Sequence, residues 1–194
     1  MTILKQMNKS LIKQFITEHA ETIKKINLSK INEAIELIIH AIDNNSRVFW
    51  CGNGGSASQA NHLSAELVGG MHKNKISPFN SICLNIDTAF ITAWSNDDSF
   101  ENIFKRQLQA NGKKGDILIG LSTSGNSSNI NNAAQYSKES GIKVISLTGN
   151  SGGKLKKISD LNINVDSNST QRVQEMHILI GHIICDLVER HYIS

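Results

Sequence analysis

The chain has little of what marks a nucleic-acid-binding or membrane-spanning protein. Lys and Arg (20) barely outnumber Asp and Glu (17), leaving a net charge of +3 over 194 residues. The densest basic cluster, Lys154-Leu155-Lys156-Lys157, reads as a solvated helix end, so no nucleic-acid partner is expected. A bilayer-spanning helix needs about 20 apolar residues. The longest apolar stretch here, Ile178 to Val188, is shorter and is interrupted by Gly181, His182 and Asp186, so no membrane association is expected. Cysteine is scarce and odd in number: Cys51, Cys83 and Cys185 each lie in an apolar run. That pattern reads as buried free thiols in a reducing cytoplasm, against a disulfide framework or a zinc knuckle. No repeat or low-complexity linker divides the chain, and Met1 to Gln6 opens an amphipathic pattern without the apolar core of a signal peptide. The expectation is a single cytoplasmic globular domain long enough to bury a substantial core.

What is present is a change of hydrophobic period. Leu11, Ile12, Phe15, Ile16, Ile23 and Ile26 recur at helical spacing within residues 3–26. Ser29 is the expected N-cap of a second helix that ends at Asn44-Asn45-Ser46. Beyond it the apolar residues gather into compact runs: 48–51, 81–84, 116–121, 143–147 and 161–165. Helical stretches separate them, at about 57–68, 88–94 (capped by Asp87), 100–109 and 127–140, with a last helix from about 172 to 190. Compact apolar strands alternating with helices predict an α/β fold with a five-stranded parallel sheet covered on both faces. The last helix is apolar almost all round, which predicts burial in the domain or in a subunit interface. With the two leading helices it points to a homo-oligomer.

Two loops fall at strand carboxyl ends, where parallel sheets bind ligands. The first, Cys51-Gly52-Asn53-Gly54-Gly55-Ser56, joins a strand to a helix whose N-terminus favours anionic or polyhydroxyl ligands. The second, Ser122-Thr123-Ser124-Gly125-Asn126-Ser127, offers hydroxyls and backbone N–H groups as a phosphate cradle without a cation. Gly52, Gly54 and Ala57 also fit a dinucleotide pattern, but Asp87 stands late for the ribose acid, and the second loop has no part in that reading. His62 and Glu66, four residues apart, share a helix face, as an acid/base pair, a metal pair or a plain surface pair. Gln174 and His182 add an amide and an imidazole on the last helix, separated by about 12 Å of rise. Two donors so far apart predict an irregular helix start or ligands shared between subunits. Asn96 and Asp97 are expected in a loop after the fourth helix.

Taken together the sequence resembles the sugar isomerase (SIS) domain and, within it, the phosphoheptose isomerase (sedoheptulose 7-phosphate isomerase) family. The matching motifs are Cys51 to Ser56, His62-x-x-x-Glu66, Asn96-Asp97, Ser122 to Ser127, Leu147-Thr148-Gly149 and Arg172-Val173-Gln174-Glu175-Met176-His177. They run in order through nearly the whole chain. The resemblance implies a flavodoxin-like, doubly wound domain over 1–194, with 1–45 as oligomerisation helices and 46–194 as the sugar-phosphate-binding core of a homotetramer. It implies one zinc per subunit at His62, Glu66, Gln174 and His182, with Glu66 and His182 catalytic. It places substrate on Asn53, Gly54, Gly55, Ser56, Glu66, Asn96, Asp97, Ser122, Thr123, Ser124, Ser127 and Gln174. The activity implied is aldose–ketose isomerisation of sedoheptulose 7-phosphate to D-glycero-D-manno-heptose 7-phosphate, for lipopolysaccharide core or surface glycans. A second resemblance is to a regulator within the family that binds the replication initiator protein without catalysis. That relative lacks the acid of His-x-x-x-Glu and has Asn in place of His182. The segment Ser167 to Gln171 departs from isomerases that carry an acid there.

Overall fold

The computed structural model describes the backbone of residues 3–72 and 77–193, with side chains from Gln6 onward. Met1 and Thr2, where the amphipathic opening begins, lie outside the described residues. Two helices lead, α1 (Ile3–Ile23) and α2 (Leu28–Asp43). Then come β1 (Val48–Gly52), α3 (Gly55–Gly69), β2 (Ser81–Cys83), α4 (Thr88–Asp97), a 3-10 turn (Phe100–Asn102) and α5 (Ile103–Asn111). The chain continues through β3 (Ile117–Ser122), α6 (Ser128–Glu139), β4 (Lys143–Gly149), α7 (Gly153–Ile158), β5 (Leu161–Val165) and α8 (Thr170–Ile193).

The five strands form one parallel sheet in the order β2-β1-β3-β4-β5. Alternation along each strand divides its side chains between two cores. Val48 and Trp50 of β1, with Ile117, Ile119 and Leu121 of β3, face α2, α3 and α8. Phe49, Cys51 and Leu118 face α5, α6 and α7. The expected covering of both faces is therefore present. The strand order reverses between β1 and β3, and it is at such a reversal, beyond the carboxyl ends of the strands, that these sheets form a ligand crevice. Both glycine- and serine-rich loops flank that crevice.

Several boundaries move from their expected places. Asn27, not Ser29, caps α2: its side-chain oxygen accepts the Lys30 N–H at 3.1 Å. Asp87 does cap α4, accepting the Phe90 N–H at 2.9 Å. That helix runs through Asp97, so Asn96 and Asp97 form its last turn and not the loop beyond it. The last helix buries one face, through Val173, Met176, Ile180, Ile184 and Val188. Ile178, Leu179 and Ile183 are half-buried, and Leu187 is exposed. On α1 the stripe Met7, Leu11, Ile12, Phe15 and Ile16 is likewise exposed. All three cysteines are buried and free, and burial pushes the Cys185 thiol up to about 12, which leaves it unreactive. Among the described residues no helix is long and apolar enough to cross a membrane.

Candidate active site

The β1–α3 loop is shaped by close backbone approach. A Cβ on Gly52 would stand 2.5 Å from the carbonyl of Ser56, and Gly54 adopts a left-handed φ of 55°. Helix α3 consequently starts at Gly55, two residues before the expected Ala57, with no side chain capping it. The N–H groups of Ser56 and Ala57 close the turn on the Asn53 and Gly54 carbonyls, both at 3.0 Å. Two asparagines outside the expected set hold this loop from either side. Asn85, after β2, accepts the Gly52 N–H at 3.1 Å and donates to the Gly52 carbonyl at 2.8 Å. Asn129, in the first turn of α6, exchanges a pair of 2.9 Å hydrogen bonds with the Asn53 side chain. Neither partnership has a local sequence signal, because each joins residues at least 33 positions apart.

Two turns into α3, His62 Nε2 lies 3.3 Å from Glu66 Oε1 and 2.8 Å from His182 Nε2 on α8. One ligand atom from each of the three residues falls within 4.8 Å of the others. The site opens outward: the His62 side chain is 48% exposed and that of Glu66 24%. Two imidazole nitrogens facing each other at this distance share either a proton or a cation. Nitrogen and carboxylate donors with an open side suit catalytic zinc, so the donor set fits that ion. The site depends on how closely α3 and α8 cross. Gly181 lies against Leu63, and a Cβ there would fall 2.3 Å from Leu63 Cδ1.

Gln174, the fourth expected donor, lies over the start of α3. Its side-chain amide lies over Gly55, where an added Cβ would meet Nε2 at 2.7 Å, and its carbonyl accepts from Gln59 Nε2 at 2.7 Å. Helix α8 begins at Thr170, upstream of Gln174, so the irregular start expected from the spacing is absent. His62, Glu66 and His182 are thus brought together, and the Gln174 amide overhangs the β1–α3 loop. Arg172 and Glu175 bind the neighbouring turn of α8 to α1. Arg172 Nη1 donates to the Phe15 carbonyl at 2.9 Å, and Glu175 pairs with Arg172 at 2.7 Å and with His19 at 2.6 Å.

The β3–α6 loop folds around its own hydroxyls. Ser122 Oγ, buried, accepts the Gly125 N–H at 3.1 Å and lies 3.3 Å from Ser127 Oγ. Gly125 has φ 65°, and a Cβ there would come within 2.0 Å of the Gly152 carbonyl oxygen. Ser127 is the N-cap of α6 but makes no capping bond with its side chain, and of the first-turn N–H groups that of Ile130 is taken by Asn129 Oδ1 at 3.0 Å. Asn126 is turned away, with its oxygen on the Lys154 N–H at 3.1 Å. Thr123 and Ser124 line a cavity of about 200 Å³ with Asn150, Ser167, Asn168, Thr170 and Val173. The departing segment 167–170 therefore forms a wall of that cavity. Asn96 and Asp97 are exposed and bond to each other at 2.8 Å. No hydrogen bond joins them to the other candidate residues among those described.

Comparison with known proteins agrees with this arrangement. Residues 13–149 match the family model described as SIS domain. The phosphoheptose isomerase of Helicobacter pylori (strain Shi470) is 44% identical over 186 residues, covering 94% of this chain and 96% of the relative. The solved phosphoheptose isomerase of Neisseria gonorrhoeae superposes with a TM-score of 0.86 at 35% identity, over 96% of this chain and 99% of the other. That of Francisella tularensis gives 0.88 at 34% identity, over 98% and 100%. With the fold, the motif order and near-complete coverage in agreement, this chain belongs to the phosphoheptose isomerase family of SIS-domain proteins.

Proposed function

We propose that the protein isomerises sedoheptulose 7-phosphate to D-glycero-D-manno-heptose 7-phosphate at the crevice between β1 and β3. The observation that carries this reading is the meeting of His62, Glu66 and His182 where α3 crosses α8. The substrate phosphate sits on Ser122, Thr123, Ser124 and Ser127 at the start of α6. The sugar hydroxyls lie along Asn53, Gly54, Gly55 and Ser56, with Gln174 above and Asn96 and Asp97 as further contacts. Glu66 takes a proton from C1, beside the ketone, and returns it to C2. His182 carries the hydroxyl proton from O1 to O2, and an aldehyde forms at C1. Glu66 Oε1 faces His62, while Oε2 makes no hydrogen bond among the described residues and is the oxygen assigned to the proton. His62, Glu66, His182 and Gln174 would hold one zinc ion. When bound, zinc supplies a Lewis acid that polarises the carbonyl and stabilises the developing oxyanion.

The product serves lipopolysaccharide core or surface-glycan assembly in the cytoplasm, with no nucleic-acid partner. Residues 1–45 act as oligomerisation helices of a homotetramer and 46–194 as the catalytic core. The exposed apolar stripe of α1 supports that division. A non-catalytic regulator of the replication initiator is the less favoured reading, since Glu66 and His182 are both kept. The test is conversion of sedoheptulose 7-phosphate by purified protein, with chelator and with zinc restored. Turnover that falls with chelator and returns with zinc is expected. Absence of turnover in the zinc-loaded protein would remove the reading.

A further inference from the structure

We infer that Asn129 is a positioning residue that sets which way the Asn53 amide faces and so ties the sugar-side loop to the phosphate-side helix. The inference rests on Asn53 contacting substrate, as proposed above. Asn129 is 3% exposed and lies in the first turn of α6, directly after Ser127 and Ser128. Its Oδ1 accepts the backbone N–H of Ile130 at 3.0 Å. An amide has one oxygen face and one nitrogen face, and which is which follows from its fixed partners. The Ile130 N–H therefore locks the Asn129 oxygen toward the helix start, and its Nδ2 is left to donate to Asn53 Oδ1 at 2.9 Å. Asn53 Nδ2 in turn donates to Asn129 Oδ1 at 2.9 Å. Orientation thus passes from the α6 backbone to Asn129 and from Asn129 to Asn53.

After this exchange Asn53 keeps one N–H and one lone pair, and their directions no longer depend on free rotation of the side chain. A loop asparagine otherwise presents either face to a sugar hydroxyl. Preordering it removes an ordering cost at binding and keeps the reacting carbons in register with Glu66. The two partners stand on opposite sides of the strand-order reversal, Asn53 after β1 and Asn129 after β3. The pair therefore spans the crevice floor and fixes the distance between the sugar loop and the phosphate helix.

The test is a double-mutant cycle on kcat/KM in the zinc-loaded enzyme, using Asn53→Ala, Asn129→Ala and the combination. A misplaced contact costs about 10- to 100-fold. The expected result is a loss of that size for each single variant and no further loss in the double. Multiplying losses overturn the inference, because they show Asn129 acting independently of Asn53; so does an Asn129→Ala variant with unaltered kcat/KM. Asn129→Leu, close to asparagine in shape, is run in parallel in case alanine leaves a damaging void. Failure of both to fold marks Asn129 as a packing residue and also overturns the inference. A ligand-free readout separates this outcome from failure of the isomerase reading. The Asn53 side-chain NH₂ resonances, assigned by their disappearance in Asn53→Ala, should shift in the Asn129 variants even if no sugar is turned over; unshifted resonances defeat the inference alone. If Asn53→Ala keeps full turnover, the substrate role of Asn53 falls, and the inference with it.

Discussion

Replacing Gly181 by alanine should weaken the proposed zinc site without unfolding the protein. The added Cβ would stand 2.3, 2.6 and 3.0 Å from Cδ1, Cδ2 and Cγ of Leu63, which is itself fully buried. Carbon atoms in ordinary contact lie about 3.5 Å apart or more, so Leu63 and α8 must separate by about 1.2 Å. Overpacking of this kind costs about 1–3 kcal/mol, and the better helix propensity of alanine returns up to about 1 kcal/mol. The net loss of stability is therefore about 0–3 kcal/mol, and the fold should survive. The site tolerates far less. Metal–ligand distances hold to within about 0.2 Å, so passing even a quarter of the displacement into the helix crossing disturbs the set. Gly181 and Leu63 are the chain neighbours of His182 and His62, so the displacement acts on the two imidazoles that now lie 2.8 Å apart. Competition titration with a chromophoric chelator should show zinc affinity at least about tenfold weaker. Trimming the partner in Gly181→Ala/Leu63→Ala should recover much of it. Zinc binding by Gly181→Ala within twofold of the parent would refute the reasoning, because the crossing would then not govern the donors.

Glu66→Gln should keep the fold and lose about 10²–10⁴-fold in kcat, read by steady-state turnover of the ketose phosphate; near-normal turnover would sink the base assignment. Asn85→Ala removes both hydrogen bonds to the Gly52 peptide and should lower stability by about 1–3 kcal/mol, read from the denaturant midpoint. His177 is fully buried, and burial lowers its pKa from 6.5 to about 4. The unfolded chain then binds the proton more readily than the folded one, so the stability held by neutral His177 is complete above pH 6.5 and drains away as pH falls toward 4. The shift corresponds to about 3 kcal/mol, and His177→Leu should flatten that part of the stability–pH curve; an unchanged slope would refute the assignment.

The sheet was legible because its strands are covered on both faces and so read as short apolar runs between turn residues. The start of α3 was not, since Gly54 enters the helix by a left-handed backbone that leaves no side-chain signature. Asn27 displaced Ser29 at α2 because either side chain can accept the orphan N–H, and composition does not rank them. Within the site, His62 and Glu66 declare themselves by helical spacing. His182 does not, being 120 residues away; the family resemblance linked it to the pair, and the crossing of α3 with α8 brings the three together. The clamps by Asn85, after β2, and Asn129, in the first turn of α6, have no sequence signature because a single asparagine at an element's end carries no periodicity. Gln174, which the resemblance makes a fourth donor, carries no local signal either; its amide rests over Gly55.

The position of α8 has a consequence for how the protein folds and falls apart. It packs against α1, α2 and α3, all more than 100 residues earlier in the chain, as well as against β4 and β5. Contacts that close so long a loop gain their reward only after the chain has paid its ordering entropy, which favours their late formation. An ion gripping His62 and His182 would therefore act mainly as a brake on unfolding, lengthening the life of the native state while leaving the rate of folding almost unchanged.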